Sequence, residues 1–482
     1  MNKNEDEILM YINNELKDIQ NTINEELYWE NKKLNSRTEI DEIKKYIDDF
    51  LSKRTPTRFI VLPGLRGVGK SIMIFQIYDY LIKEKNVSPD NILYLPCDDL
   101  YKTLNCDIKK TIEVYIKNQF NASLRLLQEK VFILIDESQY YKDWALTGKI
   151  IYDKTRNIFM IFTGSSAINL EYNADAARRL EKISIPPLNY TQHIKLKYNI
   201  DATPLSHSLK ELIFTGNIEN TIEAESKTNK ILSNTLEYNS NDWDFYLKYG
   251  GFPSSFEHES LKKIRNQLVD ITERIITYDI PNMSNLNSAD QTNANRILRY
   301  IAKQQPGELS NINIANYLKI PLDTVNHILD FLEKTHILFH CEPYGGAAKK
   351  TKKEWKYFFA TSSIRYALAK KTGHSLIDTS EYEGLLIENL IATNLYNLYN
   401  EDDTFTVYYD PNKKKNVDFL IQDGFEYPIP IEVGRGEKKK SQIKYAIDKY
   451  NASYGIVVAN NTNKIKKIED IIYVPIKTFS FL

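Results

Sequence analysis

RFIVLPGLRGVGKSIMIF, residues 58–75, changes character twice within eighteen residues. Phe59 to Leu62 is a short apolar run of the kind that forms a buried strand, and from Ile72 onward the apolar positions take a helical spacing. Between them Gly64-Leu65-Arg66-Gly67-Val68-Gly69-Lys70-Ser71 fits G-x-x-x-x-G-K-[ST]. Glycines at those positions let backbone N–H groups close around phosphate oxygens at a helix N-terminus, where the helix dipole favours anions. The reading assigns Gly64, Leu65, Arg66, Gly67, Val68, Gly69, Lys70, Ser71 and Ile72 to nucleotide binding. Lys70 reaches the β and γ oxygens, and the Ser71 hydroxyl is a magnesium ligand. ATP and Mg2+ are the expected cofactors.

A phosphate loop of this kind needs a second carboxylate site at the end of a buried strand. Val131 to Ile135 followed by Asp136 and Glu137 supplies it. Asp136 is expected in the magnesium shell and Glu137 on the attacking water. At the end of the next apolar strand, Thr163, Gly164 and Ser165 offer a hydroxyl that senses the γ-phosphate, with Ser165 taken as the catalytic member. A glycine-serine turn is the plain alternative. Arg178 and Arg179 are candidates for an arginine finger, in cis or from a neighbouring subunit; a surface basic pair is the alternative there.

Further apolar runs, NILYLPCDD, IFMIFTG and KISIPPL, alternate with helix-period segments. That alternation predicts an α/β domain built on a parallel sheet buried on both faces, over residues 53–200. Ahead of it, residues 1–52 carry Ile8, Ile12, Leu16, Ile19 and Ile23, then Ile43, Ile47 and Leu51, at amphipathic helical spacing. Residues 201–290 read as a polar helical lid or linker. Residues 291–358 give three helical stretches and a hairpin, the signature of a winged helix. The recognition helix would begin at Pro321 to His327, and the wing carries Lys349, Lys350, Lys352, Lys353 and Lys356, candidates for DNA phosphates. Residues 359–482 return to an α/β pattern.

At 482 residues the chain exceeds one ordinary core. A hydrophobic share of 42% and a net charge of −1 exclude a disordered majority and give no global attraction to nucleic acid. Three cysteines without metal-ligand spacing argue against a disulfide framework or zinc site. No signal peptide or membrane span is read, so a cytoplasmic location without membrane partners is expected.

With these residues in place, the chain resembles the prokaryotic AAA-type P-loop ATPases that carry a winged helix and a C-terminal restriction-endonuclease-like domain. The resemblance rests on Arg66 and Val68 within the loop, Cys97-Asp98-Asp99, Asp136-Glu137-Ser138-Gln139 with Trp144, Phe162 to Ser166, Gly250 to Pro253, and Gly384 to Glu388. It implies a P-loop NTPase fold with ATP binding and hydrolysis, in a switch or motor acting on DNA, a protein partner or a homo-oligomer. The alternatives are a DNA-binding regulator and an ATP-regulated nuclease, in phage defence or plasmid maintenance. It further implies that Glu388, Asp418 and Glu432 match the three carboxylates of a PD-(D/E)XK centre. The lysine of that motif falls on Gly434, and strand alternation turns Arg435 away, leaving Lys438 to Lys440 as the nearby basic residues. The expectation is a retained scaffold that does not cut DNA.

Overall fold

The structure is a computed structural model. It describes the chain outside residues 1–4, 30–31, 54, 166–177, 259, 280–286, 305–308, 346–353, 374–376, 402–403, 413–414, 425, 435–439 and 461. The chain divides into two compact units, Met1–Pro186 and Pro187–Leu482.

In the first unit, α1 (Glu5–Leu27) and α2 (Glu39–Ser52) precede β1 (Phe59–Pro63), α3 (Lys70–Lys83), β2 (Ile92–Pro96), α4 (Cys97–Leu104), α5 (Ile108–Phe120), β3 (Val131–Asp136), α6 (Trp144–Lys154), β4 (Ile158–Gly164) and β5 (Glu181–Lys182). The sheet order is β2-β3-β4-β1-β5, and every pairing is parallel. Strand side chains alternate between two covered faces. Phe59, Val61, Ile133, Ile135, Met160 and Phe162 share one core with Ile8, Tyr11 and Ile12 of α1. The opposite face meets α2 through Phe50, whose ring lies 5.5 Å from Phe132 and 5.4 Å from Phe159. The N-terminal segment is therefore part of the core of this unit and not a separate appendage. Fully burying an isoleucine contributes roughly 1.5–3 kcal/mol, and α1 buries Ile8, Ile12, Ile19 and Ile23.

The second unit starts with five helices: α7 (Tyr190–Tyr198), α8 (Thr203–Thr215), α9 (Glu219–Asn234), α10 (Asp242–Tyr249) and α11 (Leu261–Arg274). Then come α12 (Ser288–Lys303), β6 (Leu309–Ser310), α13 (Asn311–Leu318), α14 (Leu322–Lys334), β7 (Leu338–Pro343) and β8 (Glu354–Phe359). The chain ends with α15 (Ser362–Lys371), α16 (Ser380–Glu401), β9 (Phe405–Tyr409), β10 (Phe419–Asp423), β11 (Ile429–Gly434), α17 (Lys440–Tyr450), β12 (Gly455–Ala459), β13 (Lys466–Ile468), β14 (Ile471–Val474) and the short α18 (Ile476–Phe479). One sheet of nine strands runs β13-β14-β12-β11-β10-β9-β7-β8-β6. The hairpin β7–β8 joins the C-terminal strands through a parallel pairing of β7 with β9, Tyr408 opposite Glu342. The segments expected to divide at residue 358 thus share one sheet.

Candidate functional site

The loop between β1 and α3 is shaped by two glycines with different tasks. Gly69, at φ 97°, is the N-cap of α3 in the left-handed region, a conformation that an L side chain resists. Gly64 needs space: a Cβ there would lie 2.3 Å from the Ile185 carbonyl oxygen. The chain after β5 runs beside the loop, with the Ile185 N–H donating to Pro63 O at 2.8 Å. Lys70 is buried, and its ammonium donates to the carbonyls of Gly64 at 2.8 Å and Leu65 at 2.9 Å. Arg37, outside every sequence motif, braces the loop from behind. Its guanidinium donates to Val68 O at 3.0 Å and Pro186 O at 2.9 Å, and pairs with Glu39 at 2.8 Å.

Asp136 ends β3 and is buried. Burial raises its carboxyl above the ordinary value and the neighbouring Glu137 adds to the rise, while hydrogen bonds from Ser71 and Thr163 and the charge of Lys70 oppose it. The Thr163 hydroxyl donates to Asp136 Oδ1. Ser71 and Asp136 thus bring two hard oxygens together, a donor set that fits magnesium with water completing its shell. Glu137 follows in the left-handed region at φ 53°. Its N–H is fixed by Asp136 Oδ1 at 3.0 Å and Thr163 Oγ1 at 3.1 Å. Its carboxylate accepts a hydrogen bond from Gln139 Nε2 and lies 3.5 Å from the Arg66 guanidinium.

Ser165 is buried and tied through its N–H to Gln139 Oε1 at 3.2 Å, whereas Thr163 is the hydroxyl that bonds Asp136. Arg178 is exposed, and Arg179 is paired with Asp153 at 2.8 Å. Sequence reading missed Arg37, because its contact with the loop spans 31 residues and follows no spacing rule.

In the second unit, the register of β10 with β11 sets Phe419 against Ile431, which places Asp418 opposite Glu432. Asp418 Oδ2 accepts from the Val433 N–H at 2.7 Å. Burial pushes the Glu388 carboxyl up to about 7. Lys356, expected on the wing surface, is instead buried. Its side chain turns inward from β8, lies over the Tyr409 ring at 5.6 Å and sets its ammonium 3.5 Å from Glu388 Oε1. Burial works against that charge, but Glu388 and Asp418 outweigh it. Lys356 is consequently no surface contact for DNA. Lys349, Lys350, Lys352 and Lys353 lie outside the described residues, as do Arg435, Lys438 and Lys439. Among the described residues no group of three or more His, Cys, Asp or Glu is arranged to hold a metal ion. At the C-terminal carboxylates a lysine ammonium faces Glu388. No helix among the described residues is long and apolar enough to cross a membrane.

Residues 56–193 match the model of an AAA domain, and residues 240–375 and 383–479 match two domains of unknown function (DUF8612 and DUF4143). The uncharacterized protein MJ1637 of Methanocaldococcus jannaschii is 32% identical over 446 residues, covering 92% of this chain and 89% of that protein. An uncharacterized protein of Haemophilus influenzae is 25% identical, covering 68% of this chain and 74% of its own. Among solved structures, the ORC2 protein of Aeropyrum pernix covers 74% of this chain and 98% of its own at 11% identity, with a TM-score of 0.35. AMPPCP-bound DnaA of Aquifex aeolicus covers 63% of this chain and 90% of its own at 16% identity, with a TM-score of 0.26. Superpositions that loose carry no weight here. The identity and the extent of the match to the archaeal protein are of another order: the chain belongs to the family of MJ1637, with an AAA-type P-loop domain followed by two domains of unknown function.

Proposed function

We propose that the protein binds and hydrolyses ATP as a nucleotide-driven switch or motor acting on DNA or a protein partner. The observation that carries this reading is the convergence of Lys70, Ser71, Asp136, Thr163 and Glu137 at one end of the parallel sheet. Backbone N–H groups of residues 64–72 bind the phosphates. Lys70 exchanges two loop carbonyls for β and γ oxygens, neutralising charge as it builds on the transferring phosphoryl group. Ser71 and Asp136 would hold magnesium, which when bound supplies further charge neutralisation on the phosphates. Glu137 orients the attacking water and takes its proton. Thr163 holds Asp136 and the Glu137 backbone in register. The exposed Arg178 remains the candidate for charge supplied to the γ-phosphate, in cis or across a subunit boundary, since Arg179 is engaged by Asp153.

Steady-state phosphate release by the purified chain, with and without duplex DNA, tests the reading. ATP-dependent release that Lys70→Ala abolishes is expected, and release unaffected by that substitution would contradict it. The order helix, strand, two helices and hairpin over α12 to β8 supports a winged helix, with Lys349, Lys350, Lys352 and Lys353 as its candidate DNA-binding lysines. Replacing these four is expected to weaken duplex binding in fluorescence anisotropy and flatten its salt dependence; unchanged binding would remove DNA as the client of that element. For the C-terminal carboxylates we propose no cutting. Supercoiled DNA is expected to stay intact in Mg2+ or Mn2+, and cleavage abolished by Asp418→Ala would overturn this.

A further inference from the structure

Glu137 is expected to act on water, yet its carboxylate is engaged on two sides. Gln139 Nε2 donates to Oε2, and the same oxygen faces the Arg66 guanidinium at 3.5 Å. The Gln139 amide has a fixed orientation, because its Oε1 accepts the Ser165 N–H at 3.2 Å, leaving only the nitrogen to face Glu137. Gly164 makes room for this arrangement: a Cβ there would lie 2.9 Å from Gln139 Oε1. The Glu137 backbone is pinned by Asp136 and Thr163, so what can change is the partner of its side chain. Arg66 belongs to the phosphate loop itself, between Gly64 and Gly67. Its guanidinium is therefore tethered to the same residues that cradle the phosphates.

We propose that Arg66 reads the nucleotide: its guanidinium is shared between the Glu137 carboxylate and the γ-phosphate, so that a triphosphate, but not a diphosphate, draws it off Glu137. Gln139 then remains as the single anchor orienting Glu137 toward water. A γ-phosphate carries more negative charge than one carboxylate and offers oxygens in a geometry that guanidinium matches bidentately, so the exchange runs toward the triphosphate. A diphosphate presents no such group at that end of the loop. In this scheme Arg66 contributes in cis the charge that an arginine finger contributes elsewhere, and couples it to release of the base. Arg66 thereby touches the γ-phosphate directly, whereas Gln139 acts on catalysis through Glu137 and is a positioning residue. The proposal rests on the ATP reading above.

The test is equilibrium binding of ADP and of a non-hydrolysable ATP analogue to the full chain, in a cycle of Arg66→Ala and Glu137→Gln. Arg66→Ala is expected to leave ADP affinity within about two-fold while weakening the analogue by roughly ten-fold, the size of one charge-assisted contact. Glu137→Gln, which removes the competing carboxylate, is expected to tighten the analogue by about two- to five-fold, as for a partly exposed ion pair. That gain should vanish when Arg66→Ala is also present, and Arg66→Lys should restore part of the analogue preference. Equal weakening of ADP and analogue by Arg66→Ala would make Arg66 a loop-shaping residue only and overturn the proposal. So would a Glu137→Gln effect that persists without the arginine. Wild-type protein that binds neither nucleotide would instead overturn the ATP reading on which the proposal stands.

Discussion

Gly64 and Arg37 illustrate how much single residues of the site depend on chain distant from it. Gly64 was legible as the first glycine of a motif, but the reason no other residue fits is the Ile185 carbonyl 2.3 Å from where a Cβ would be. Gly64→Ala must push the segment after β5 away from the loop. It is expected to weaken ATP binding at least ten-fold while leaving the far-UV spectrum unchanged, which titration calorimetry and circular dichroism check together. Arg37 donates to a carbonyl of the loop from a stretch, NSRTE, that carries no motif. Arg37→Ala leaves that buried carbonyl and Pro186 O without their charged donor, at a cost of roughly 1.5–3 kcal/mol in stability. Chemical denaturation reads that loss; an unchanged midpoint would show the brace to be dispensable. The spacing of Gly64 to Ser71 is local and so was readable. The contacts of Arg37 and Gln139 are set by folding and were not.

At the scale of elements, period was the reliable signal and pairing the hidden one. The apolar spacing of residues 1–52 predicted helices, and α1 and α2 bury Ile8, Ile12, Ile43 and Ile47, with Phe50 reaching the sheet where Leu51 was expected to contribute. Nothing in that spacing announced that α1 closes one face of the nucleotide domain. Its packing has an electrostatic consequence. Burial, with Asp99 and Asp18 adding to it, pushes Glu15 up to about 7. A carboxyl that ionises near 4.3 when unfolded and near 7 when folded favours the folded state below the lower value. The advantage is lost as pH rises between the two. Glu15→Gln is therefore expected to raise the melting temperature at pH 8 and to leave it nearly unchanged at pH 4.5; a pH-independent effect would place Glu15 in water. Lys356 shows the opposite limit of pattern reading. By its lysine-rich surroundings it reads as one more wing lysine, yet in β8 it shares a face with Phe358, and the pairing of β7 with β9 joins that hairpin to the C-terminal strands, where its ammonium meets Glu388 of α16 and the Tyr409 ring. A parallel pairing between residues 66 apart leaves no local trace.

Over the whole molecule the first 186 residues hold the phosphate-loop motif and its parallel sheet, and the remainder forms a unit around one nine-stranded sheet. The grouping of the chain into two units left no trace in the sequence, because sheet continuity is non-local. The account of function stands on the first unit, and within it on one division of labour. In the proposed function Lys70, Ser71 and Asp136 bind and neutralise, while Glu137 acts only once the attacking water is in place. Single-turnover hydrolysis of bound ATP, wild type against Glu137→Gln, tests this most directly. ATP affinity retained with hydrolysis slowed by about 10²-fold or more is the result the account predicts; hydrolysis at the wild-type rate in Glu137→Gln would contradict it.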